Sequence, residues 1–341
     1  MGAMTAIQAA IGALVDGGGI EPEEAAAALE TIMSGDATEA QIGAFLAGMR
    51  LHGETPEVVA ACWAVMERHA EPCAAGNVVD LCGTGGDGAD TFNVSTAAGF
   101  VVAGAGGRVA KHGNRAASSN CGSADLLEAL GARIDLGGEA VARVIEQCGF
   151  GFLFAQRFHP AMRHVGGPRR ELGTRTIFNV LGPISNPAQP RAQLTGVGSA
   201  HLGPLFAEAF RIRGLDRAVI VHSEDGLDEI SPATGTHAWI LEGGEVREEE
   251  LTTATFGVEG CSLDEVAGGM PEENAETLRA MLAGQGGPVA DFVTLNAAAG
   301  CWTAGLADSF AEGAALARQS LASGRARVVA ESYVRLTQEV S

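Results

Sequence analysis

The sequence contains few basic residues and almost no lysine. Its 341 residues include 42 acidic side chains against 22 basic ones, which gives a formal net charge of −20. A charge of this sign repels phosphate backbones and anionic lipid surfaces at long range, so it argues against nucleic-acid and membrane partners. Lys111 is the single lysine, and every other basic residue is an arginine.

Long apolar runs and paired cysteines are also missing. The apolar stretches, such as "STAAGFVVAGAGG", are too short and too rich in glycine to cross a bilayer. The start, "MGAMTAIQAAIGALVDGG", has no positively charged region and contains an acid, so it is not typical of a signal peptide. The seven cysteines are scattered, without a C-x-x-C pair. We therefore expect a soluble, cytoplasmic protein with reduced thiols.

Two patterns divide the chain. Residues 4–71 predict helices, because apolar positions recur every three or four residues and Pro22 and Pro56 occupy first-turn positions. From Asn77 onward, short runs rich in branched residues alternate with helical stretches: "NVVDLC", "GRVAKHG", "GFGFLFA", "AQLTGVG", "RAVIVHS" and "THAWILEGGEV". The pattern predicts an α/β fold, with an all-helical domain at 1–72, joined by part of 166–190, and a larger domain at 73–341 whose mostly parallel sheet is flanked by helices.

The loop "GTGGDG", residues 83–88, follows a strand and matches the dinucleotide-binding pattern G-x-G-x-x-G. Three features argue against that interpretation. The segment "ADTFN" separates the loop from a helix that begins near "VSTAAGF". The next strand ends in Lys111 where a dinucleotide site has an acid, and Asp87 would repel a bare pyrophosphate. A P-loop is excluded because no Gly-Lys-Ser/Thr follows.

The loop is more typical of a cradle for another phosphate. Asn93, Ser95 and Thr96 place neutral donors at a helix N-terminus, which favours anions, although helix capping selects the same residue types. The segment "KHGNRAASSNCGSAD" adds a second cluster of cationic and hydroxyl groups: Lys111, Asn114, Arg115, Ser118, Ser119 and Ser123. This local reversal of charge in an acidic protein predicts a second anion-binding segment.

Two further segments carry charged groups. Asp228 and Glu229 follow the strand "RAVIV", and adjacent acids at the end of a parallel strand suit Mg²⁺ held jointly with phosphates. A solvated turn would also explain such a pair. A guanidinium suits a planar carboxylate, and residues 157–175 offer five: Arg157, Arg163, Arg169, Arg170 and Arg175. Salt bridges and surface solvation would account for most of them.

Five motifs together resemble the anthranilate phosphoribosyltransferase family: "GTGGDG", "NVST", "KHGNRAASSNCGSAD", "GPRRELGTRTIFNVLGP" and "DGLDEIS". They occur in the family's order and approximate spacing, and the similarity covers nearly the whole chain. The resemblance implies a helical domain and an α/β domain with the active site between them, and a homodimer joined through the helical domain. It implies transfer of the 5-phosphoribosyl group from phosphoribosyl pyrophosphate (PRPP) to anthranilate with Mg²⁺, the second step of tryptophan biosynthesis from chorismate.

The resemblance also implies site residues. The donor-binding set is Gly83, Gly86, Asp87, Thr91, Asn93, Ser95, Thr96, Lys111, His112, Gly113, Asn114, Arg115, Ala116, Ala117, Ser118, Ser119 and Ser123. The metal set is Ser95, Asp228 and Glu229, and the catalytic set is Lys111, Asp228 and Glu229. The acceptor set is Gly83, His112, Asn114, Arg169 and Pro183, with Arg169 facing the carboxylate.

This chain departs from the family pattern at two positions. Pro168 precedes Arg169 where the family usually has an aliphatic residue, which makes Arg170 the alternative carboxylate reader. Ser223 replaces a family glycine, a change that we expect to be tolerated.

Catalysis should depend on neutralising the departing pyrophosphate and positioning a neutral amine, so we predict no essential general base and an orienting role for His112. Three alternatives remain at this point: a pyrimidine nucleoside phosphorylase, which shares the fold; a non-catalytic relative that binds nucleic acid, which the charge disfavours; and a dehydrogenase.

Overall fold

The computed structural model describes residues 4–116 and 119–340. Its N-terminal part is helical, as predicted, with α1 (Ala6–Val15), α2 (Pro22–Met33), α3 (Glu39–His52) and α4 (Pro56–Arg68). Thr5, Thr38 and Thr55 begin three of these helices, and each hydroxyl accepts a hydrogen bond from a backbone N–H of the first turn. In the part of the chain that the structure describes, no helix is long and apolar enough to cross a membrane.

A seven-stranded sheet forms the centre of the remaining chain. Its strands are β1 (Val79–Gly83), β2 (Val109–Gly113), β3 (Phe150–Phe154), β4 (Ala192–Gly196), β5 (Arg217–Ser223), β6 (Thr236–Glu242) and β7 (Glu245–Leu251). The order is β3-β2-β1-β4-β5-β6-β7, in which the first five strands are parallel and the last two are antiparallel. The mostly parallel sheet was predicted.

The last strand differs from the prediction. Gly243 and Gly244 both have positive φ, at 61° and 83°, and they form the turn of a hairpin where the sequence predicted one run. β7 has the sequence "EVREEEL" and is mostly exposed. A run of charged residues does not show the pattern of a strand, so the sequence did not predict it. Such charges are typical of an edge strand that resists pairing with another chain.

Helices cover the sheet, as predicted. They are α5 (Val94–Gly104), α6 (Ser123–Ala129), α7 (Gly138–Cys148), α8 (Ala155–Phe158), α9 (Gly166–Leu172), α10 (Ile177–Ile184), α11 (Leu202–Arg213), α12 (Thr253–Phe256), α13 (Pro271–Leu282), α14 (Pro288–Thr303), α15 (Phe310–Ala322) and α16 (Arg325–Glu339), with short 3₁₀ helices at Pro160–His164 and Leu263–Val266. One continuous pattern, "DSFAEGAALARQSLASGRARVVAESYVRL", is split into α15 and α16 at Gly324, whose φ is 72°.

Two apolar cores hold these layers together. One packs α5, α14, α15 and α16 against the sheet around Phe100, Phe150 and Tyr333. The other joins α1–α4 to α10, α11 and the opposite face of β5 and β6. Within it, α9 contacts α3 and α10 contacts α4. The division of the chain at residue 72, with part of 166–190 on the helical side, stays a prediction.

Candidate active site

The loops after β1 and β5 meet at the carboxyl edge of the parallel strands. The Asp228 carboxylate accepts a hydrogen bond of 2.6 Å from the Gly85 N–H. A β-carbon on Gly83 would lie 2.3 Å from Oδ2 of Asp228, and one on Gly196 would lie 1.4 Å from its carbonyl oxygen. Both positions therefore require glycine, because the Asp228 segment packs directly onto the ends of β1 and β4.

Three carboxylates converge there. Ligand oxygens of Asp87, Asp228 and Glu229 all lie within 4.8 Å of one another. Burial and the nearby Asp87 charge raise the pKa of Asp228 to about 6. Burial and the charges of Asp228 and Asp87 raise the pKa of Glu229 well above its usual value, and within the described residues Glu229 Oε2 has no hydrogen-bond partner. The three carboxylates repel one another, and one oxygen of Glu229 is free to bind a ligand. A divalent cation bound between them would remove this repulsion.

The space beside these acids is small. A cavity of about 10 Å³ is bordered by Ser95, Asp228 and Glu229, together with Asn296 and backbone of β1, β4 and β5. It matches one water-sized sphere, and all its charged lining groups are anionic. The sequence assigned Asp228, Glu229 and Ser95 to a metal and Asp87 only to the donor. The geometry adds Asp87 to the candidate metal ligands.

Ser223 holds the acidic segment in place. Its hydroxyl donates to the Glu229 carbonyl oxygen at 2.6 Å, lies 2.6 Å from the Thr236 hydroxyl and accepts from the Ser231 N–H at 3.1 Å. The side chain is fully buried. Serine is therefore accommodated at this position, and its hydroxyl closes the turn that carries Asp228 and Glu229.

Lys111 lies beneath the glycine loop. Its ammonium donates to the Leu81 carbonyl at 2.6 Å and to the Ser95 hydroxyl at 3.1 Å, and it is 2% exposed. Burial lowers its pKa, while attraction to the carboxylate of Asp80 opposes that shift. The prediction that the strand ends at Lys111 was wrong, since β2 continues to Gly113. Because Lys111 lies within β2 and not at its end, its ammonium reaches across β1 to the Ser95 hydroxyl in α5.

Asp80 is the counter-charge that the sequence did not reveal. It is fully buried, and burial raises its pKa to about 6 even though the Lys111 charge acts against this shift. Its carboxylate accepts from the His112 N–H at 3.1 Å and from the Asn186 amide at 2.8 Å. Asp80 lies inside an apolar run before the glycine loop, so the sequence gives no sign of its role. Its interactions with Lys111 and His112 appear only once β1 and β2 are paired.

At the start of α5 the side chains of Asn93, Ser95 and Thr96 make different contacts. The Asn93 amide donates to the Cys121 carbonyl at 2.8 Å, and its oxygen accepts from Asn274. The Ser95 hydroxyl accepts from Lys111, and the fully buried Thr96 hydroxyl has no partner among the described residues. Asn93 occupies the N-cap position, so capping does not explain Ser95 or Thr96. Thr91, just upstream, bridges to Ala267.

The loop after β2 folds around Asp125. This carboxylate accepts from the N–H groups of Ala116 and Gly122, both at 2.9 Å, and from Arg115. Arg115 also pairs with Glu128, so its charge is already balanced. The Ser123 hydroxyl donates to the Asn114 carbonyl at 3.2 Å. Ser119 is exposed, and the predicted donor residues Ala117 and Ser118 lie outside the described residues.

Of the predicted acceptor residues, His112 lies in β2 and Pro183 contacts the end of β1. Burial lowers the pKa of His112 well below its usual value, so the ring is neutral near pH 7, and its Nε2 has no partner within the described residues. The Pro183 carbonyl accepts from the Cys82 thiol, next to Gly83, at 3.3 Å.

Arg169 is half-buried, while Arg170 is exposed. The Arg169 guanidinium lies 5.4 Å from the centre of the Phe178 ring. Pro168 fits because it lies in the first turn of α9, where backbone N–H groups have no helical acceptor.

Known proteins share this arrangement. A family model described as "Glycosyl transferase family, a/b domain" matches residues 75–327, and one described as "Glycosyl transferase family, helical bundle domain" matches residues 8–70. The anthranilate phosphoribosyltransferase of Dehalococcoides mccartyi (strain CBDB1) is 47% identical over 338 residues, which cover 98% of this chain and 99% of that protein. The chain belongs to the anthranilate phosphoribosyltransferase family.

Solved structures of anthranilate phosphoribosyltransferases agree in fold. The crystal structure of the enzyme from Thermus thermophilus matches with a TM-score of 0.91 at 43% identity, covering 96% of this chain and 99% of that one. The Saccharomyces cerevisiae enzyme, solved in complex with PRPP and Mg, matches with a TM-score of 0.89 at 29% identity and 98% coverage of both chains. The resemblance drawn from five short motifs is therefore confirmed over the full length.

Proposed function

We propose that this protein transfers the 5-phosphoribosyl group from PRPP to the amine of anthranilate, giving N-(5-phosphoribosyl)anthranilate and pyrophosphate. It thereby catalyses the second step of tryptophan biosynthesis from chorismate. The observation that carries this proposal is the meeting of the glycine loop, the buried Lys111 and three carboxylates at one edge of the sheet. Family membership at 47% identity supports the same activity.

Mg²⁺ fits the acidic cluster. Asp87, Asp228 and Glu229 offer oxygens within 4.8 Å of one another, and the Ser95 hydroxyl borders the same cavity. When bound there, Mg²⁺ neutralises the carboxylates and the phosphate charge of the donor. The Saccharomyces cerevisiae relative was solved in complex with PRPP and Mg, which supports Mg²⁺ as the ion.

The chain's own groups bind and orient the donor. The loop glycines allow the backbone to approach phosphate oxygens closely, and the N-terminus of α5 adds a favourable dipole. Lys111 supplies the only ammonium side chain of the sequence at this point. We assign the donor to the glycine loop, the start of α5 and the segment from Lys111 to Ser123.

The acceptor takes the side facing α10. Arg169, held against the Phe178 ring, reads the anthranilate carboxylate, and Pro168 presents no steric obstacle to that role. The neutral His112 ring orients the acceptor together with Asn114, Gly83 and Pro183. The amine lone pair forms the new bond to ribose C1, the C1–O bond breaks with its electron pair on pyrophosphate, and the nitrogen loses one proton to water.

We also propose a homodimer joined through the helical part. Met4, Val15 and Leu51 are 71%, 77% and 85% exposed. Val15 and Leu51 each adjoin a residue of one contact between α1 and α3, in which the His52 ring lies 2.7 Å from the Leu14 carbonyl oxygen. Exposed large apolar side chains are typical of a surface that another protein chain covers. A cytoplasmic location remains a prediction.

One assay tests the reaction. Purified protein is mixed with Mg²⁺, PRPP and anthranilate, the loss of anthranilate fluorescence is followed, and each component is omitted in turn. We expect turnover only with all three. Phosphorolysis of pyrimidine nucleosides in the same protein, without turnover of PRPP, would overturn the proposal in favour of the phosphorylase alternative.

A further inference from the structure

Arg175 lies directly on the glycine loop. It belongs to the short connection between α9 and α10, and its Nη1 lies 2.6 Å from the point where a β-carbon on Gly86 would be. Gly86 has a φ of 80° and carries no β-carbon that would separate the guanidinium from the main chain. The guanidinium therefore contacts the main chain of the proposed phosphate cradle.

The charge of Arg175 is not used elsewhere. Among residues 4–116 and 119–340, no carboxylate lies within 4.0 Å of its guanidinium, and its side chain is exposed. By contrast, Arg115 and Arg157 are each paired with an acid. Arg175 does act on the acidic cluster at longer range, since its attraction opposes the rise in the pKa of Asp228.

This geometry is suited to a diphosphate. A guanidinium offers two parallel N–H donors to phosphate oxygens, and it stays charged at every working pH. Lys111 is buried beneath the loop, whereas Arg175 lies on its open side. We propose that Arg175 binds the pyrophosphate group of the donor and stabilises it as it leaves, an inference that rests on the proposed function. None of the motif-based assignments includes this residue.

The position of Arg175 also links the two substrates. Its segment runs directly from Arg169 in α9 to Pro183 in α10, the residues assigned to the acceptor. Those helices pack on α3 and α4, whereas the glycine loop extends from the sheet. Arg175 therefore ties the acceptor-side segment to the donor loop through its contact with Gly86.

Three variants test the inference: Arg175→Ala, Arg175→Lys and, as a matched control for loss of one exposed positive charge, Arg327→Ala on α16. Binding of pyrophosphate in the presence of Mg²⁺ is titrated calorimetrically, and KM for PRPP and for anthranilate are measured separately. Circular dichroism and thermal unfolding establish that each variant is folded.

Loss of a charged, bidentate contact should weaken pyrophosphate binding about 10- to 100-fold in Arg175→Ala. KM for PRPP should rise in parallel, and KM for anthranilate at saturating PRPP should change less than about threefold. Arg175→Lys keeps the positive charge but lacks the two parallel N–H donors of the guanidinium. Its pyrophosphate affinity should therefore lie between those of Arg175→Ala and the unmodified protein. Arg327→Ala should bind pyrophosphate like the unmodified protein.

Two results would overturn the inference. One is unchanged pyrophosphate affinity in a folded Arg175→Ala protein, and the other is an equal loss in Arg327→Ala, which would indicate a non-specific charge effect. If Arg175→Ala does not fold, the comparison of Arg175→Lys with the unmodified protein decides, because equal affinities would then overturn it. Failure of the unmodified protein to consume PRPP and anthranilate would instead refute the proposed function.

Discussion

Gly83 and Asp228 are in such close contact that a β-carbon on the glycine would lie 2.3 Å from Oδ2 of the aspartate. The end of β1 and the loop after β5 are distant in sequence, and this contact fixes one against the other. The same carboxylate accepts the Gly85 N–H. The glycine loop and the acidic cluster are therefore one structural unit.

The first prediction concerns this contact. Gly83→Ala should displace the Asp228 carboxylate and reduce the Mg²⁺-dependent rate about 10- to 100-fold, because a shift of about 1 Å in a catalytic group has this order of effect. Gly12→Ala in α1 is the control, since a β-carbon there meets nothing within 4 Å. Steady-state rates over a Mg²⁺ titration would measure both, and a normal Mg²⁺ response in Gly83→Ala would contradict the prediction.

Replacing the paired acids should separate stability from activity. In Asp228→Asn/Glu229→Gln, Mg²⁺-dependent turnover should be lost, while the free energy of unfolding without Mg²⁺ should rise by about 1 kcal/mol, roughly 1–2 °C in Tm for a chain of this length, since two repelling carboxylates become neutral. Thermal unfolding and the fluorescence assay would measure this. Asp308→Asn, an exposed substitution, should change neither quantity, and a destabilised double variant would argue against charge repulsion in the cluster.

The stabilisation by Mg²⁺ should increase with pH. The pKa of Asp228 is raised to about 6 and that of Glu229 is raised well above its usual value, so both acids hold their protons to a higher pH than in the unfolded chain. Stability that protonation provides below the ordinary pKa is lost as pH rises through the raised value, and Mg²⁺ binding to the ionised acids restores it. The difference in Tm with and without Mg²⁺ should therefore be larger near pH 7.5 than near pH 5. Taking this difference cancels the opposite effect of the buried His112 and His159, whose pKa values are lowered. An equal shift at both pH values would refute this cause.

Lys111 should have two separable roles. Lys111→Met leaves the carboxylate of Asp80 buried without its cation, which should destabilise the fold by about 3 kcal/mol and abolish most turnover. Adding Asp80→Asn should recover much of the stability but none of the turnover, because the ammonium is still missing. Denaturant unfolding of the single and double variants tests the coupling. Recovery of activity in the double variant would exclude a direct role for Lys111.

His112 should orient the acceptor rather than act as a base. His112→Ala should raise KM for anthranilate and lower kcat by less than about 100-fold, because an arylamine is already neutral at pH 7. Burial lowers the pKa of its ring, which makes the ring a weak proton acceptor near that pH. The measurement is kcat and KM for anthranilate across pH. Complete loss of turnover with unchanged acceptor binding would show that a general base is needed.

The sequence was informative where a residue type has a strong preference for one local backbone conformation. Apolar periodicity and proline at first-turn positions predicted α2 and α4, and tandem glycines after an apolar run located the glycine loop that follows β1. It was uninformative for β7, since a run of glutamates is not typical of a strand. It named Arg175 only as one of five guanidinium groups suited to a carboxylate, and it did not place that residue beside Gly86.

The sequence by itself determined the fold class, the family and the segments that form the site, because periodicity and motif spacing are properties of the chain. Only the tertiary structure decided that Asp87 joins Asp228 and Glu229, that Asp80 balances Lys111, and that Arg115 is paired with acids while Arg175 has no ion-pair partner among the described residues. Charge interactions depend on distance and burial, and both quantities exist only after strands far apart in the chain have paired.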